Sequence, residues 1–357
     1  MASSSGSPPR ARTPSTARSR PSSTRSASSS PACPRTTRPS SRACCGGCCC
    51  PSRADIVPRL RSDLGIVLLS VVIAAVVVLA QIPGVAGTIG AATLPWAGFL
   101  LVPLVLLALL RRSWSSLAAP VALVLWAVAL APVLPAVLSS RPDADGTPVT
   151  FASQNVEARS GTSAESARTL AGLDSDVIAL TEMDASARAE AAEALATSHP
   201  YAYTAGTVGL WSVYPLSNTE GLTLGLSWKR ALRADVAAPG GRVRVYVVHA
   251  ASVRPGQQAG RDAMLSNLAD LIDADDSPRL VAMGDFNAAT TDPALKGVRR
   301  NLSEPRSTGL SFGFTWPARF PLVRIDHIFE RGLTVLETRV AKAGSSDHRA
   351  VLATFDD

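Results

Sequence analysis

The chain has 357 residues, room for two or three folded units, and its formal net charge of +7 is unevenly spread. Residues 1–62 hold eleven Arg and no Lys, residues 64–140 carry only Arg111 and Arg112 as charged side chains, and residues 141–357 hold 22 basic and 26 acidic residues. The basic surplus therefore lies at the N-terminal end, and the overall charge is excluded as an argument that the C-terminal part binds nucleic acid.

Residues 1–54 are dominated by Ser, Arg, Pro, Thr and Ala. Such a stretch cannot bury a core, and the composition predicts a disordered tail reaching to residue 62. All six cysteines (Cys33, Cys44, Cys45, Cys48, Cys49 and Cys50) lie in it. Their packed spacing, with no His nearby, does not follow the usual zinc pattern. The C-terminal part has no thiol and needs no disulfide.

Residues 64–82, 87–110 and 117–138 then run without a charge except at their borders. Crossing a hydrocarbon core of roughly 30 Å takes about 20 apolar residues, so the pattern predicts three transmembrane helices within residues 63–139. Three such runs in succession argue against buried helices of a soluble protein and against a signal peptide. Pro95, Pro103, Pro120, Pro132 and Pro135 are compatible with membrane helices. Arg53, Arg59 and Arg61 before the first run, and Arg111 and Arg112 between the second and third, predict a cytoplasmic N-terminus. Residues after 140 then lie outside the cytoplasm, in a multi-pass protein of the cell membrane. A polar linker, residues 140–147, leads into the domain at 148–357.

In that domain apolar strands alternate with helices. PVTFASQNV reads as a strand running to Asn155, SAESARTLAGL as a helix, and DVIAL as a buried strand entering Thr181 and Glu182. ASARAEAAEALATS is a second helix. Residues 230–236 and 242–248 form a hairpin through Pro239-Gly240-Gly241, and the second strand runs into His249. Residues 260–272 are helical. LVAM leads into Gly284-Asp285-Phe286-Asn287, LVRIDHIF carries Asp326 and His327, and VLATF follows Ser346-Asp347-His348. Polar groups recur where apolar strands end, which makes a polar cleft on a rigid scaffold.

Asn155, Glu182 in DVIALTE, His249 in VYVVHA, Asp285 and Asn287 in GDFN, Asp326 in RIDHIF, and Asp347 and His348 in SSDH occur in an order that resembles the endonuclease/exonuclease/phosphatase superfamily over residues 148–355. The resemblance implies a four-layer α/β sandwich, two packed mixed β-sheets flanked by helices, preceded here by the three membrane helices. It implies hydrolysis of phosphoesters with a divalent metal, Mg²⁺ or Mn²⁺. The substrate stays open between nucleic acid, nucleotide and lipid headgroup, and no obligate protein partner is evident. The alternative is an inactive binding module of the same fold on a membrane anchor.

The resemblance also distributes roles. Glu182, Asn155 and Asp347 are expected at the metal. Asp285 is expected to orient or deprotonate water, and Asn287 to hold that water or a phosphoryl oxygen. His348 is expected on the phosphate with Asp326 behind it, His249 as a second phosphate contact or leaving-group acid, and His327 facing away. An Asx-turn is the simpler reading of Asp285. One stretch departs from the family's Gly-x-x-x-Ser-Arg-x-Pro pattern: Val213 follows Ser212 where the Arg stands, which puts the contacts of that loop in doubt.

Overall fold

A computed structural model describes residues 53–111, 117–134, 146–254 and 258–356. It opens with α1 (Arg53–Leu79), α2 (Val85–Arg111) and α3 (Ala118–Leu130). Among the described residues α2 alone is long and apolar enough to cross a membrane, since the apolar part of α1, Asp63–Leu79, and α3 are shorter. The expected third span, 117–138, runs beyond residue 134 and out of the described residues. The cysteines and the tail up to Ser52 lie outside them too. The last ten residues of the expected tail belong to α1 instead. Ala54, Arg59, Leu60 and Arg61 have high intrinsic helix propensity, and the helix begins ahead of the apolar run.

The three helices pack around Ile73, Leu94, Leu101 and Leu130, with small residues where they approach most closely. A Cβ on Gly90 would lie 2.7 Å from the Ala80 nitrogen, and one on Gly98 would lie 2.1 Å from the Trp126 ring. Trp126 donates from Nε1 to the Leu94 carbonyl at 2.7 Å. Large apolar side chains point outward, with Phe99 65% and Val128 70% exposed.

The rest forms two mixed sheets. The first has the order β10-β11-β1-β2-β4-β3 and the second β5-β6-β7-β8-β9. The first is built from β1 (Pro148–Asn155), β2 (Val177–Thr181), β3 (Tyr201–Ala205), β4 (Val208–Ser212), β10 (Thr334–Ala341) and β11 (Ala350–Asp356). The second holds β5 (Leu216–Leu222), β6 (Ala231–Ala238), β7 (Gly241–His249), β8 (Leu280–Asp285) and β9 (Asp326–Arg331). Phe151, Val245, Val247, Val281, Ile328 and Phe355 belong to the core between the sheets. Helices α4 (Ser163–Ala171) and α5 (Ala185–Leu195) cover the outer face of the first sheet, through Leu170, Ile178 and Leu195. Helix α6 (Gln258–Asp273) covers the second, through Leu265, Leu268 and Tyr246.

Register brings the polar strand ends together. Asn155 pairs with Thr181 across the parallel β1–β2 ladder, and His249 with Asp285 across the parallel β7–β8 ladder. The antiparallel β8–β9 ladder sets Asp285 opposite Asp326. Gly284 is required there: its φ is +140°, and a Cβ would lie 1.9 Å from the Val248 carbonyl oxygen. The departure at Val213 lies far from this edge. β4 runs antiparallel to β2 and pairs Ser212 with Val177, at the opposite end of the strand from Glu182.

Behind β9 a buried ion cluster fixes the connection into the sheet. Glu304 Oε1 meets His327 Nδ1 at 2.6 Å and Arg324 Nε at 3.2 Å, while Oε2 pairs with Arg299. Burial pushes the Glu304 carboxyl up, but Arg324, His327 and Arg299 outweigh it and bring the pKa down to about 2. Glu304→Gln should cost about 3–5 kcal/mol, the scale for breaking a buried pair on one side. Because the folded pKa lies below the ordinary 4.5, this contribution is complete above pH 4.5 and fades as pH falls toward 2. Denaturant unfolding of the full chain in detergent, followed by Trp fluorescence, should show the gap between wild type and variant closing over that range. A gap independent of pH would contradict the assignment.

Candidate active site

Four of the strand ends meet at one edge of the sandwich. Asn155 closes β1, Glu182 follows β2, Asp285 closes β8 and Asp326 opens β9. Glu182 and Asn287 both stand in the left-handed region, at φ 58° and 48°. Residues held there cost of order 1–3 kcal/mol and concentrate at functional sites. The turn after each strand is what swings these two side chains back over the sheet edge.

Asp285 is the buried centre. Its Oδ1 accepts from the Asn287 backbone N–H at 2.8 Å, which closes the Asx-turn that the sequence offers. Its Oδ2 accepts from Asn155 Nδ2 at 3.0 Å and from Asn287 Nδ2 at 3.1 Å. Burial raises its pKa, Asp326 raises it further, and His348 and the Asn155 amide pull it back without restoring it. A carboxyl raised toward neutrality is poised to exchange a proton near pH 7.

His348 sits beside it on the loop before β11. Its Nδ1 lies 2.8 Å from Asp326 Oδ2. Ser346 holds the loop by donating from Oγ to the Asn155 carbonyl at 2.7 Å. Burial disfavours the imidazolium, but Asp326, through charge and hydrogen bond, and then Asp285 and Asp347 outweigh it and raise the pKa to about 10. His348 is therefore a cation at neutral pH, with Nε2 turned away from Asp326. Asp347 Oδ1 lies 3.9 Å from that Nε2, and Asp347 Oδ2 accepts from Trp316 Nε1 at 3.1 Å.

His249 is placed differently from its expected role. Its Nε2 lies 2.6 Å from Arg230 Nη2 and its Nδ1 lies 3.1 Å from Thr207 Oγ1. A guanidinium only donates, so Nε2 is the acceptor and the ring proton sits on Nδ1. Burial, then Arg230 and His348, hold its pKa well below the ordinary value. A neutral ring with its lone pair taken cannot protonate a leaving group from Nε2. It braces Arg230, whose positive charge acts on Asp285 and Glu182. Arg230 carries no motif that marks it in the sequence. The hairpin register contains the signal, because Ala231 pairs with Val248 and the next step brings Arg230 to His249. His327 points away from the cleft, with its ring nitrogens on Glu304 and the Ala288 carbonyl.

The donor set fits a hard divalent cation. Glu182 Oε2 and Asp285 Oδ2 converge on one neutral donor, Asn155 Nδ2, at 2.8 and 3.0 Å. Two carboxylates facing each other across an amide leave negative charge that a cation neutralises. Buried Asp326 Oδ1 has no hydrogen-bond partner among the described residues. Candidate ligating atoms of Glu182, His249 and Asp285, and of Asp285, Asp326 and His348, lie within 4.8 Å of one another in each group. The first group loses His249 to Arg230 and keeps its oxygens, the donors that Mg²⁺ and Mn²⁺ prefer. The Asn155 amide is turned with its nitrogen toward the carboxylates, and Oδ1 accepts from the Glu157 backbone N–H at 2.9 Å. An oxygen-donor role for Asn155 requires that amide to turn over.

Glu182, Asp285, Asn287, Asp347 and His348 line one cleft of about 380 Å³. Its other walls are mixed, with Val253, Val323 and Ile325 from the domain and Ala92 from α2 as apolar side chains, and Ser252 and Thr88 as polar ones.

A search of curated proteins finds no significant match. Among solved structures, beta toxin from Staphylococcus aureus is 15% identical with a TM-score of 0.47, covering 57% of this chain and 99% of its own. Sphingomyelinase C from Streptomyces griseocarneus is 18% identical with a TM-score of 0.46, covering 58% of this chain and 99% of its own. D. rerio TDP2 complexed with a single-strand DNA product is 19% identical with a TM-score of 0.48, covering 59% of this chain and 100% of its own. The profile of the endonuclease/exonuclease/phosphatase family matches residues 152–348, the stretch that holds every cleft residue of the domain named above, and the chain belongs to that family.

Proposed function

We propose that the protein is a membrane-anchored, divalent-metal-dependent hydrolase of phosphoester bonds. The observation that carries this reading is the opposition of charges in one cleft. The carboxylates of Glu182 and Asp285 face the imidazolium of His348, which Asp326 holds at 2.8 Å. A phosphate group needs positive charge at its non-bridging oxygens and a positioned water.

In this reading Asp285 orients the attacking water and accepts its proton as the oxygen bonds to phosphorus, and the bond from phosphorus to the leaving oxygen breaks. Asn287 holds the water or a phosphoryl oxygen. His348 donates from Nε2 to a phosphoryl oxygen, and Asp326 keeps that ring charged and oriented. Arg230 adds positive charge behind Glu182. Glu182 and Asp347, with Asn155 once its amide turns, would hold Mg²⁺ or Mn²⁺, which supplies charge stabilisation at the phosphoryl oxygens.

The membrane reading rests on the bundle. An apolar outer surface, with close helix approach at Gly90 and Gly98, is the arrangement expected of helices packed in lipid, whereas a water-facing bundle is polar outside. The Arg pattern puts the loop after α2 and the N-terminal end in the cytoplasm and the catalytic domain on the far side. A reporter fused at position 357 reads this out. Alkaline phosphatase should be active there and a cytoplasm-only fluorescent protein dark, and the opposite pattern would overturn the orientation.

Glu182→Gln should raise the metal requirement for hydrolysis of a small soluble diester by the full chain in detergent, with partial rescue by excess Mg²⁺ or Mn²⁺. Asp285→Asn should lose turnover by roughly two or more orders of magnitude without rescue. Equal rescue of both variants would break the division of roles.

The charge on His348 is open to measurement. Both ring nitrogens should remain protonated at pH 8 by ¹⁵N NMR, since the pKa stands near 10. Asp326→Asn should lower that pKa by roughly one to three, the scale for losing an adjacent opposite charge. A wild-type ring that titrates near 6.5 would remove the phosphate-binding cation from the mechanism.

A further inference from the structure

The domain carries a polar socket that a membrane helix fills. Thr88, in the first turn of α2, donates from Oγ1 to Asp292 Oδ2 at 2.9 Å. The same hydroxyl accepts from Gln258 Nε2 at 2.7 Å and from Arg261 Nη2 at 2.9 Å. Arg261 is fully buried, pairs with Asp292 at 2.8 Å, and donates from Nη1 to the Asn287 carbonyl at 2.8 Å. One threonine of the anchor thus completes a buried network that reaches the backbone of a cleft residue. Two turns further on, Trp96 donates from Nε1 to the Leu322 carbonyl at 2.8 Å and stacks on Phe314 at 5.7 Å. Ala92 lies on the helix face between Thr88 and Trp96 and lines the cleft opposite Asp285 and His348.

Helix length explains why these turns are available. The 27 residues of α2 span about 40 Å at 1.5 Å per residue, while the hydrocarbon core is roughly 30 Å thick. A surplus of about 10 Å is enough to hold the first two turns of α2, with Thr88 and Ala92, outside that core. The floor of the cleft is charged, and Ala92, Val253, Val323 and Ile325 give it apolar walls. Two rim side chains, Val253 at 41% and Trp316 at 40% exposed, extend the apolar surface outward.

We infer that the first turns of α2 are a working part of the catalytic site, and that the cleft takes the phosphoester of an amphiphile held in the same bilayer. This rests on the phosphoesterase reading above. The phosphate of the amphiphile sits on the Asp285–His348 floor, and its apolar part runs along Ala92 and Val253 toward the membrane. Thr88 lines the cleft as well, and as a positioning residue it acts on Asn287 through Arg261.

The test uses the full chain in nanodiscs with three substrates: bis(p-nitrophenyl) phosphate, a phospholipid with a fluorescent headgroup, and a single-stranded DNA oligonucleotide. The wild type should favour the phospholipid over both others by at least tenfold in kcat/KM. Ala92→Trp, and the smaller change Ala92→Leu, narrow the apolar wall and should lower the ratio of phospholipid to soluble-diester kcat/KM, about tenfold for Trp and less for Leu, mainly through KM. Thr88→Val should lower kcat on phospholipid and soluble diester alike with KM little changed, because it loosens the loop at Asn287. Preference for DNA, or an unchanged ratio in both Ala92 variants, would overturn the inference while hydrolysis of the soluble diester keeps the phosphoesterase reading. Hydrolysis of none of the three would overturn both.

Discussion

Two buried carboxylates, Asp285 and Asp326, stand opposite each other in register at the ends of β8 and β9. Like charges in a dry environment repel strongly, and the surroundings must answer them. His348 does so on one side, held charged by Asp326. Two amides and one backbone N–H answer on the other side by converging on Asp285. Arg230 adds a more distant positive charge, with its guanidinium fixed against His249. The remaining negative charge faces the cleft at Glu182 and Asp347, oxygen donors of the kind that a hard cation prefers.

The scaffold makes this arrangement rigid. β8 is buried along its whole length, and its flanking ladders run to the last residue of the strand. The side chains at those ends inherit their position from backbone hydrogen bonds, so little freedom remains to be lost when a substrate binds. The Glu304 cluster behind β9 continues the same economy of charge. One buried acid meets Arg299, Arg324 and His327, and this holds His327 away from the cleft.

The helices in front of the domain have the opposite logic. Their outer surface is apolar and their contacts with each other use glycine and alanine. Polar contacts concentrate where α2 meets the domain, at Thr88 and Trp96. A polar group is worth burying only if it is satisfied, and Thr88 has partners for its hydroxyl as both donor and acceptor. That is why a single threonine on an apolar helix specifies how the helix docks.

The order of strands and helices, the polar residues that close β1, β2, β7 and β8, and the family were legible in the sequence, because alternation and strand-end chemistry are local properties. Four strands escaped it. β3 and β5 lie largely exposed, β10 is of mixed burial, and β4 lacks polar alternation, being buried throughout. Helix boundaries near Arg53 also escaped, since the apolar periodicity that marks the helix begins only at Leu64. Tertiary structure alone decided that Asn155 turns its nitrogen to the carboxylates, that His249 serves Arg230, and that Ala92 of α2 enters the cleft. Each depends on which side chain arrives from a distant part of the chain, up to some 200 residues away for Thr88 and Asp292. A sequence states the chemistry that each residue carries, while register and packing decide which lone pairs and protons are already taken.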